Sequence, residues 1–372
     1  MNRAFKYRIY SNQSTLNKLE GWISFCRQLY NLALEQRINA YKQDKKSISK
    51  FEQMRQVTQL RHTFPEYSEI NSDTLHNVIK RLDRTYSNFF RGIKTGKKIG
   101  FPRFKGENRY NSITLRKYGW KLQGNRFEIK KVGIFKVKLS RPIEGIIQEV
   151  IISKTLTNKW FVSFVCKDVS PKKYPKSKKE IGIDVGCKDF ITDSKGNKIV
   201  NPHFFKASFN KLLKCQRSLS RKIKGSNRRK KVKHNLSIIH EKIVNQRKDF
   251  HFKLVNSLLK EYGIIYIEDL NWWKTEWRSV NRSMADAAFF GFLDLLSNSA
   301  EGANRQVIQD PARGTSQECS SCGQVVKKEL SERRHLCPCG LDLDRDHNAA
   351  LNILRRGQRL RKMLRPIPRI CE

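Results

Sequence analysis

Twice this sequence runs an apolar strand into a carboxylate. Ile181-Gly-Ile-Asp184-Val-Gly186 carries one acid in a glycine-flanked apolar run, and Gly263-Ile-Ile-Tyr-Ile-Glu268 ends another in an acid. An isolated buried carboxylate is expensive, so each must meet a partner or a cation. Two such strands lying side by side in an open α/β sheet bring their terminal acids together at one edge. A third acid is placed to join them. Asp344-Arg-Asp346-His-Asn-Ala-Ala-Leu opens a helix, and Asp346 falls in its first turn, where the helix dipole favours a carboxylate. Three oxygen ligands of this kind suit Mg²⁺, with Mn²⁺ as an alternative. Two ions held this way can bracket a phosphodiester, one activating water and the other stabilising the leaving oxygen. Asp184 is the expected bridge between the ions, with Glu268 and Asp346 each holding one. Asp344 and His347 are candidates for supporting roles, or else an ordinary helix N-cap and an exposed helix residue.

The charge of the chain names its partner class. There are 76 Lys+Arg against 34 Asp+Glu, a net charge of +42. A small DNA-binding protein typically neutralises about 6–10 phosphates. A surplus several times larger points to long or multiple strands, because self-repulsion on this scale costs stability unless a polyanion offsets it. The surplus is densest over residues 206–250, which hold 15 Lys/Arg and two acids. Ion pairs cannot lace so lopsided a run. Arg217, Arg221, Lys222, Lys224, Arg228, Arg229 and Lys230 are therefore the expected nucleic-acid contacts. No stretch reaches the ~18 apolar residues of a membrane span. The opening MNRAFKYRIY lacks the apolar core of a signal peptide. A cytoplasmic protein with no membrane partner is expected.

Nine cysteines are present, and four of them, Cys319, Cys322, Cys337 and Cys339, are clustered, while Cys26, Cys166, Cys187, Cys215 and Cys371 are scattered. This pattern reads as one metal site plus free thiols in a reducing compartment. Each clustered pair is followed by glycine, at Gly323 and Gly340, which lets the backbone turn around a metal. Four thiolates make a closed tetrahedral site for one structural Zn²⁺, with no open position for catalysis. His335 is near enough to be a substitute ligand, a role the four cysteines make unnecessary.

Periodicity divides the chain. A short strand at 4–10 precedes a helix over 14–41, with Leu19, Trp22, Ile23, Cys26, Leu29, Tyr30, Ala33 and Leu34 near one face. A second helix follows Asn71–Ser72, with Leu75, Ile79, Leu82, Tyr86 and Phe89–Phe90 as its stripe. A basic Gly/Pro linker over 92–103 leads into a β-rich stretch, 112–167, read as a small barrel. After a Lys/Pro linker, 171–179, come the Asp184 strand, a hairpin over 190–200 and a long helical segment, 205–260, broken at Gly225-Ser226-Asn227. The Glu268 strand, a helix at 284–299, a strand at 305–310, the cysteine insert, the Asp346 helix and a basic tail complete the order.

The ordered motifs GIDVG, IEDL, TSQECSSCG over 315–323 and DRDHNAALNIL over 344–354 together resemble the transposon-encoded TnpB family, which is related to the compact CRISPR type V effectors. FCRQLYN, the Tyr86–Phe90 segment and GKKIGFPRFK resemble its N-terminal signature; LSRKIKGS and the stretch through IVNQRKDF resemble its basic helical insert. The resemblance implies a multidomain α/β protein. A wedge β-barrel (1–10 and 96–172) would be interrupted by a helical recognition domain (11–95). An RNase H-like, RuvC-type nuclease (176–314 and 341–358) would be split by a zinc-binding target nucleic-acid module (315–340) and followed by a basic tail (359–372). It implies RNA-guided cleavage of double-stranded DNA with a guide derived from the transposon end. Its three metal-binding acids fall on Asp184, Glu268 and Asp346. The shortened Cys337-Pro-Cys339 spacing departs from many relatives. Relatives that have lost these acids act as guided repressors, so a guided binding protein or recombination accessory without cleavage is the alternative; a transposase is a more distant one.

Overall fold

The computed structural model describes residues 1–96, 99–116, 118–269, 286, 288–310, 314–329 and 332–364. The expected helix start at Met284, Lys97 and Lys98 of the linker, and the tail beyond residue 364 with Cys371 lie outside them. The chain forms two units, Met1–Ser170 and Pro171–Glu372.

The first unit is a curled antiparallel sheet covered by helices. Strand β1 (Arg3–Tyr10) leads into α1 (Gln13–Asp44), α2 (Lys50–Thr63), the short α3 (Pro65–Ser68) and α4 (Ser72–Lys94). Six strands follow: β2 (Ser112–Leu115), β3 (Trp120–Gln123), β4 (Arg126–Ile129), β5 (Gly133–Lys138), β6 (Ile146–Lys154) and β7 (Trp160–Lys167). Their order is β2-β6-β7-β1-β5-β4-β3, so the first strand of the chain sits at the centre. Alternation explains that place: Phe5, Tyr7 and Ile9 face the core. The β3–β4 hairpin curls over β7, bringing the Trp120 and Phe127 rings 6.1 and 5.8 Å from Phe164. The sheet stops short of the expected barrel, because β2 and β3 remain its two edges. It is a half-barrel, and α1 and α4 pack against its β2 end. Helix α2 lacks a strong apolar stripe, and Val57 is its one fully buried aliphatic residue. Its start is nevertheless written locally, since the Ser49 side chain accepts a hydrogen bond from the Glu52 amide at 3.2 Å.

The second unit is built on a mixed sheet. Its elements are β8 (Glu180–Asp184), β9 (Asp189–Asp193), β10 (Lys198–Val200), α5 (Phe204–Ser220), α6 (Asn227–Glu261), β11 (Ile264–Glu268), α7 (Phe289–Glu301), β12 (Gln306–Asp310), β13 (Arg334–Leu336), β14 (Asp342–Asp344) and α8 (Arg345–Leu364). The sheet order is β10-β9-β8-β11-β12. Strands β8, β11 and β12 run parallel, while β9 and β10 are antiparallel to their neighbours. On one face Ile181, Ile183, Ile265 and Ile267 pack with Leu254, Leu258, Phe292 and Leu296 of α6 and α7. On the other, Ile264 and Tyr266 meet Ile353 and Leu354 of α8.

Helix α8 lies unusually close to the sheet. A Cβ on Gly182 would fall 2.3 Å from the Ala350 carbonyl oxygen, and one on Gly357 would fall 2.1 Å from the Tyr266 ring. Glycine at both places is therefore a packing requirement, one on the strand and one on the helix. Gly182→Ala is expected to lower the melting temperature, with an overpacking cost of about 1–3 kcal/mol or more because the obstacle is backbone. A thermal melt matching wild type would show that α8 can lift away freely.

Candidate functional site: a carboxylate cluster beside a four-thiol module

Strand alternation decides where the acids point. Side chains two apart share a face, so Asp184 follows Gly182, and Glu268 follows Ile264 and Tyr266, onto the face covered by α8. The parallel register sets Ile267 beside Ile183, which leaves Asp184 and Glu268 at the same, carboxyl-terminal end of adjacent strands. Helix α8 begins there and carries Asp346 in its first turn.

Positive charge reaches the cluster unevenly, close to Asp346 and only weakly at Asp184 and Glu268. Burial pushes the Asp184 carboxyl up to about 8, and the charges of Asp346 and Glu268 add to the rise; Arg345 and the Val185 amide offset it only partly. Burial likewise pushes Glu268 up to about 7, against a hydrogen bond from Thr315. The Thr315 hydroxyl donates to Glu268 Oε1 at 3.4 Å. Asp346 contacts Arg345 Nε at 3.3 Å and Arg333 at 3.9 Å. A divalent cation would supply the charge that the protein withholds, and all the facing donors are hard oxygens. The three carboxylates are spread too widely for one small ion. Among the described residues, only the four thiols form a set of three or more ligand atoms within 4.8 Å of one another.

Asp344 is committed elsewhere. Its Oδ1 accepts from the amides of Asp346 at 3.0 Å and His347 at 3.2 Å, capping α8. Its Oδ2 pairs with Lys198 of β10 at 2.6 Å. Burial would raise the Asp344 carboxyl, but Lys198 and the two amides together hold it below the usual range. His347 is half-buried, with its ring against the β9–β10 turn, 3.2 Å from where a Cβ on Gly196 would sit.

A fourth acid, Asp310, carries no local sequence signal. Asp310 ends β12 directly opposite Glu268 in the parallel register, is 2% exposed, and pushes the Glu268 carboxyl further up. A lone acid just before Pro311 reads as a turn residue; only the strand pairing reveals its neighbour.

The four thiols meet as expected. Cys319 and Cys339 sulfurs lie 3.7 Å apart, and Cys322 and Cys337 sulfurs 3.5 Å apart. A regular tetrahedron with bonds of ~2.3 Å has edges of ~3.8 Å, so the set fits zinc; disulfides would need ~2.05 Å. The short Cys337-Pro-Cys339 pair closes in a tighter turn than the longer one: Gly340 donates its amide to the Cys337 carbonyl three residues back, and Gly323 to the Cys319 carbonyl four residues back, both glycines with positive φ. Burial raises the Cys319 thiol, but the amides of Cys322 and Ser321 together with the His335 and Cys337 side chains bring it down to about 5. His335 is fully buried against Lys328 and is not part of the four-ligand set. The scattered Cys26, Cys166, Cys187 and Cys215 are free thiols.

Two buried asparagines tie this module to α8. Asn348 and Asn352 both donate to the Glu318 carbonyl, at 2.7 and 2.6 Å, and Asn352 also reaches the Thr315 carbonyl at 2.9 Å. The Ser320 amide returns a bond to Asn348 Oδ1 at 2.9 Å. Arg355 and Arg356 both pair with the Glu318 carboxylate. The segment that enters the thiol cluster is thus the one whose Thr315 touches Glu268.

The basic residues named from sequence lie on the α5–α6 hairpin. Arg217, Arg221, Lys224, Arg228 and Lys230 are exposed and Lys222 is half-buried. Arg229 differs: its guanidinium donates to the carbonyls of Leu219 and Lys222, closing the turn between the helices. The hairpin is anchored by Asp286, which accepts from the amides of Phe205 and Lys206 and pairs with Arg247 at 2.9 Å.

The chain is similar to known proteins along nearly its whole length. Residues 163–276 match a family described as "Probable transposase", the OrfB family of IS605. Residues 289–353 match the Cas12f1-like TNB domain, and 1–46 match a helix-turn-helix domain, a stretch that here is β1 and the single helix α1. A Streptomyces pristinaespiralis protein named as an RNA-guided DNA endonuclease is 32% identical over 96% of this chain and 90% of its own length. InsQ of Escherichia coli K12, with the same name, is 28% identical over 95% of this chain and 92% of its own. The solved structure of Cas12f1 with sgRNA and target DNA superposes with a TM-score of 0.57 at 14% identity, covering 92% of this chain and 83% of that one, a likeness of fold. Fold and sequence together place the chain among transposon-encoded proteins of multidomain α/β architecture. It belongs to the TnpB family.

The raised carboxyls have a measurable consequence. An acid whose folded value lies above its unfolded one binds its proton more tightly when folded, so its contribution to stability is full at low pH and is lost as pH climbs from about 4 toward about 8. In chelator, Asp184→Asn should therefore melt progressively higher than wild type across that window, and added Mg²⁺ should narrow the gap at pH 8. A gap independent of pH would show that Asp184 is already compensated. For the thiol set, the wild-type chain should carry one zinc, and Cys319→Ser should lack it and become protease-sensitive within 315–340 while the sheet stays folded. Unchanged zinc content in that variant would contradict the four-cysteine site.

Proposed function

We propose that the chain is an RNA-guided DNA endonuclease whose single cutting centre is formed by Asp184, Glu268 and Asp346. The observation that carries this reading is the convergence of three carboxylates, two from parallel strand ends and pushed up by burial and one from the start of α8, in a chain with net charge +42. The strand order, three parallel strands flanked by an antiparallel pair, supports assigning the second unit to the RNase H-like, RuvC-type class. The names of the relatives that match nearly end to end supply the guide RNA and the DNA target.

Asp184, Glu268 and Asp346 would hold the Mg²⁺ ions of a two-metal centre, Asp184 contributing to both and the other two to one each. Such ions, when bound, supply Lewis acidity to the attacked phosphodiester and a hydroxide-like water. The chain's own contribution is to fix those oxygens. Asp344 and Lys198 set the first turn of α8, and so the position of Asp346. Thr315 orients Glu268, and the close fit of α8 at Gly182 keeps water from the rest of that face. The half-barrel, 1–10 and 96–172, would be the wedge and the helices of 11–95 the recognition domain. Residues 176–314 and 341–358 would be the nuclease and 315–340 a target nucleic-acid module held by structural zinc. Arg217, Arg221, Lys222, Lys224, Arg228 and Lys230 would face the phosphate backbone. Base pairing would choose the target, with the protein reading an adjacent duplex motif and the heteroduplex shape.

The test is to purify the protein with the RNA that accompanies it, sequence that RNA, and supply a matched DNA with Mg²⁺. Wild type should cut. Asp184→Ala and Glu268→Ala should bind the same DNA but cut more than about a hundredfold slower, since even outer partners of a metal ligand act on that scale. Variants that cut as fast as wild type would remove the site assignment. A wild-type particle that binds matched DNA and leaves it intact with Mg²⁺ or Mn²⁺ would favour the guided repressor.

A further inference from the structure

The first unit carries an aromatic surface that its own fold does not use. On α4, Tyr86 and Phe89 are half-buried, while Phe90 and Ile93 are 54% and 60% exposed. The chain beyond the helix folds back against it: a Cβ on Gly92 would fall 2.8 Å from Ile99, and Phe101 sets its edge on Phe89 at 5.3 Å and on Tyr86 at 5.6 Å. Phe90 lies at 6.2 Å from Tyr86, nearly parallel to it, and 5.4 Å from Phe89. Two buried-side rings thus support two outward ones, with Phe101 46% exposed. Scattered exposed hydrophobic residues are ordinary, but a contiguous aromatic group held by its neighbours marks a contact surface.

Charge selects the occupant. From Arg84 to Gly106 the sequence holds seven Lys/Arg and no acid. Arg91, Lys94 and Arg103 are exposed around the rings. A second copy of this chain would bring like charge onto like charge across the contact, which disfavours self-association. A polyanion is attracted. Paired bases in a duplex hide their faces in the stack, whereas unpaired bases offer π-faces to aromatic rings beside a basic backbone track. We propose that Phe90 and Phe101 form a stacking platform for unpaired nucleobases of a single strand, with Arg91, Lys94 and Arg103 taking its phosphates. The proposal leans on the guided-nuclease reading only for where such a strand arises, either in the guide RNA or in the opened DNA target.

Binding alone tests it, without guide or cleavage, so its failure is separable from failure of the nuclease assignment. The full chain is titrated by fluorescence anisotropy against oligo(dT), oligo(U) and a short duplex at one salt concentration. The Phe90→Ser/Phe101→Ser pair should weaken single-strand binding at least about tenfold and change duplex binding less than about twofold. The Phe90→Trp/Phe101→Tyr pair should restore it. The Phe90→Leu/Phe101→Leu pair keeps the apolar surface and the fold, and should bind as poorly as the serine pair. A loss on the DNA arm, the RNA arm or both supports the platform and tells which strand uses it. Equal losses on duplex and single strand, leucine variants that bind like wild type, or a self-associated protein that the serine pair turns monomeric would each overturn it.

Discussion

The second unit depends on one close approach, that of helix α8 to the sheet at Gly182 and Gly357. Everything chemical in this half of the protein is referred to that helix. Its first turn offers Asp346 to the strand ends, its next turns present Asn348 and Asn352 to the thiol module, and its far half pairs Arg355 and Arg356 with Glu318. A helix held further off by a single methyl group would displace all of these together. The arrangement gains accuracy from rigidity: an acid at a helix start moves only if the helix does.

The carboxylates and the thiols are two answers to one electrostatic problem. Each cluster crowds groups that repel when ionised. The thiols sit at tetrahedral spacing in a closed shell, which suits a permanent ion. The carboxylates are looser and half-buried, with arginines beside Asp346 that offset Asp184 only partly. Glu268 stands between the two, bonded to Thr315 from the module and crowded by Asp310 from the sheet.

Much of this was legible locally. The β8 and β11 runs announce themselves by apolar residues ending in an acid, and α4 by its stripe. The thiol set is legible from spacing alone, although the short Cys337-Pro-Cys339 pair needed the Gly340 turn to show how it closes. Other features were not, and the reasons are physical. Helix α2 is thinly apolar and is marked mainly by Ser49 and Glu52 at its start. Whether β2 and β3 join is a matter of sheet curvature that no local pattern encodes. Asp310 becomes noteworthy only through its register with Glu268, and Arg229 cannot be told from its neighbours until the turn it closes is seen.

The order of elements along the chain has a bearing on synthesis. Strands β8, β11 and β12 are complete by residue 310, whereas the third acid and the helix that covers their second face come only after 344. A product arrested between these points holds two of the acids over an uncovered face containing Ile264, Tyr266 and Ile308. Such a fragment is an exposed apolar sheet, matter for chaperones and proteases. The same helix that brings the third acid to the cluster completes the core, so the full carboxylate set and the capacity to persist are acquired in a single step.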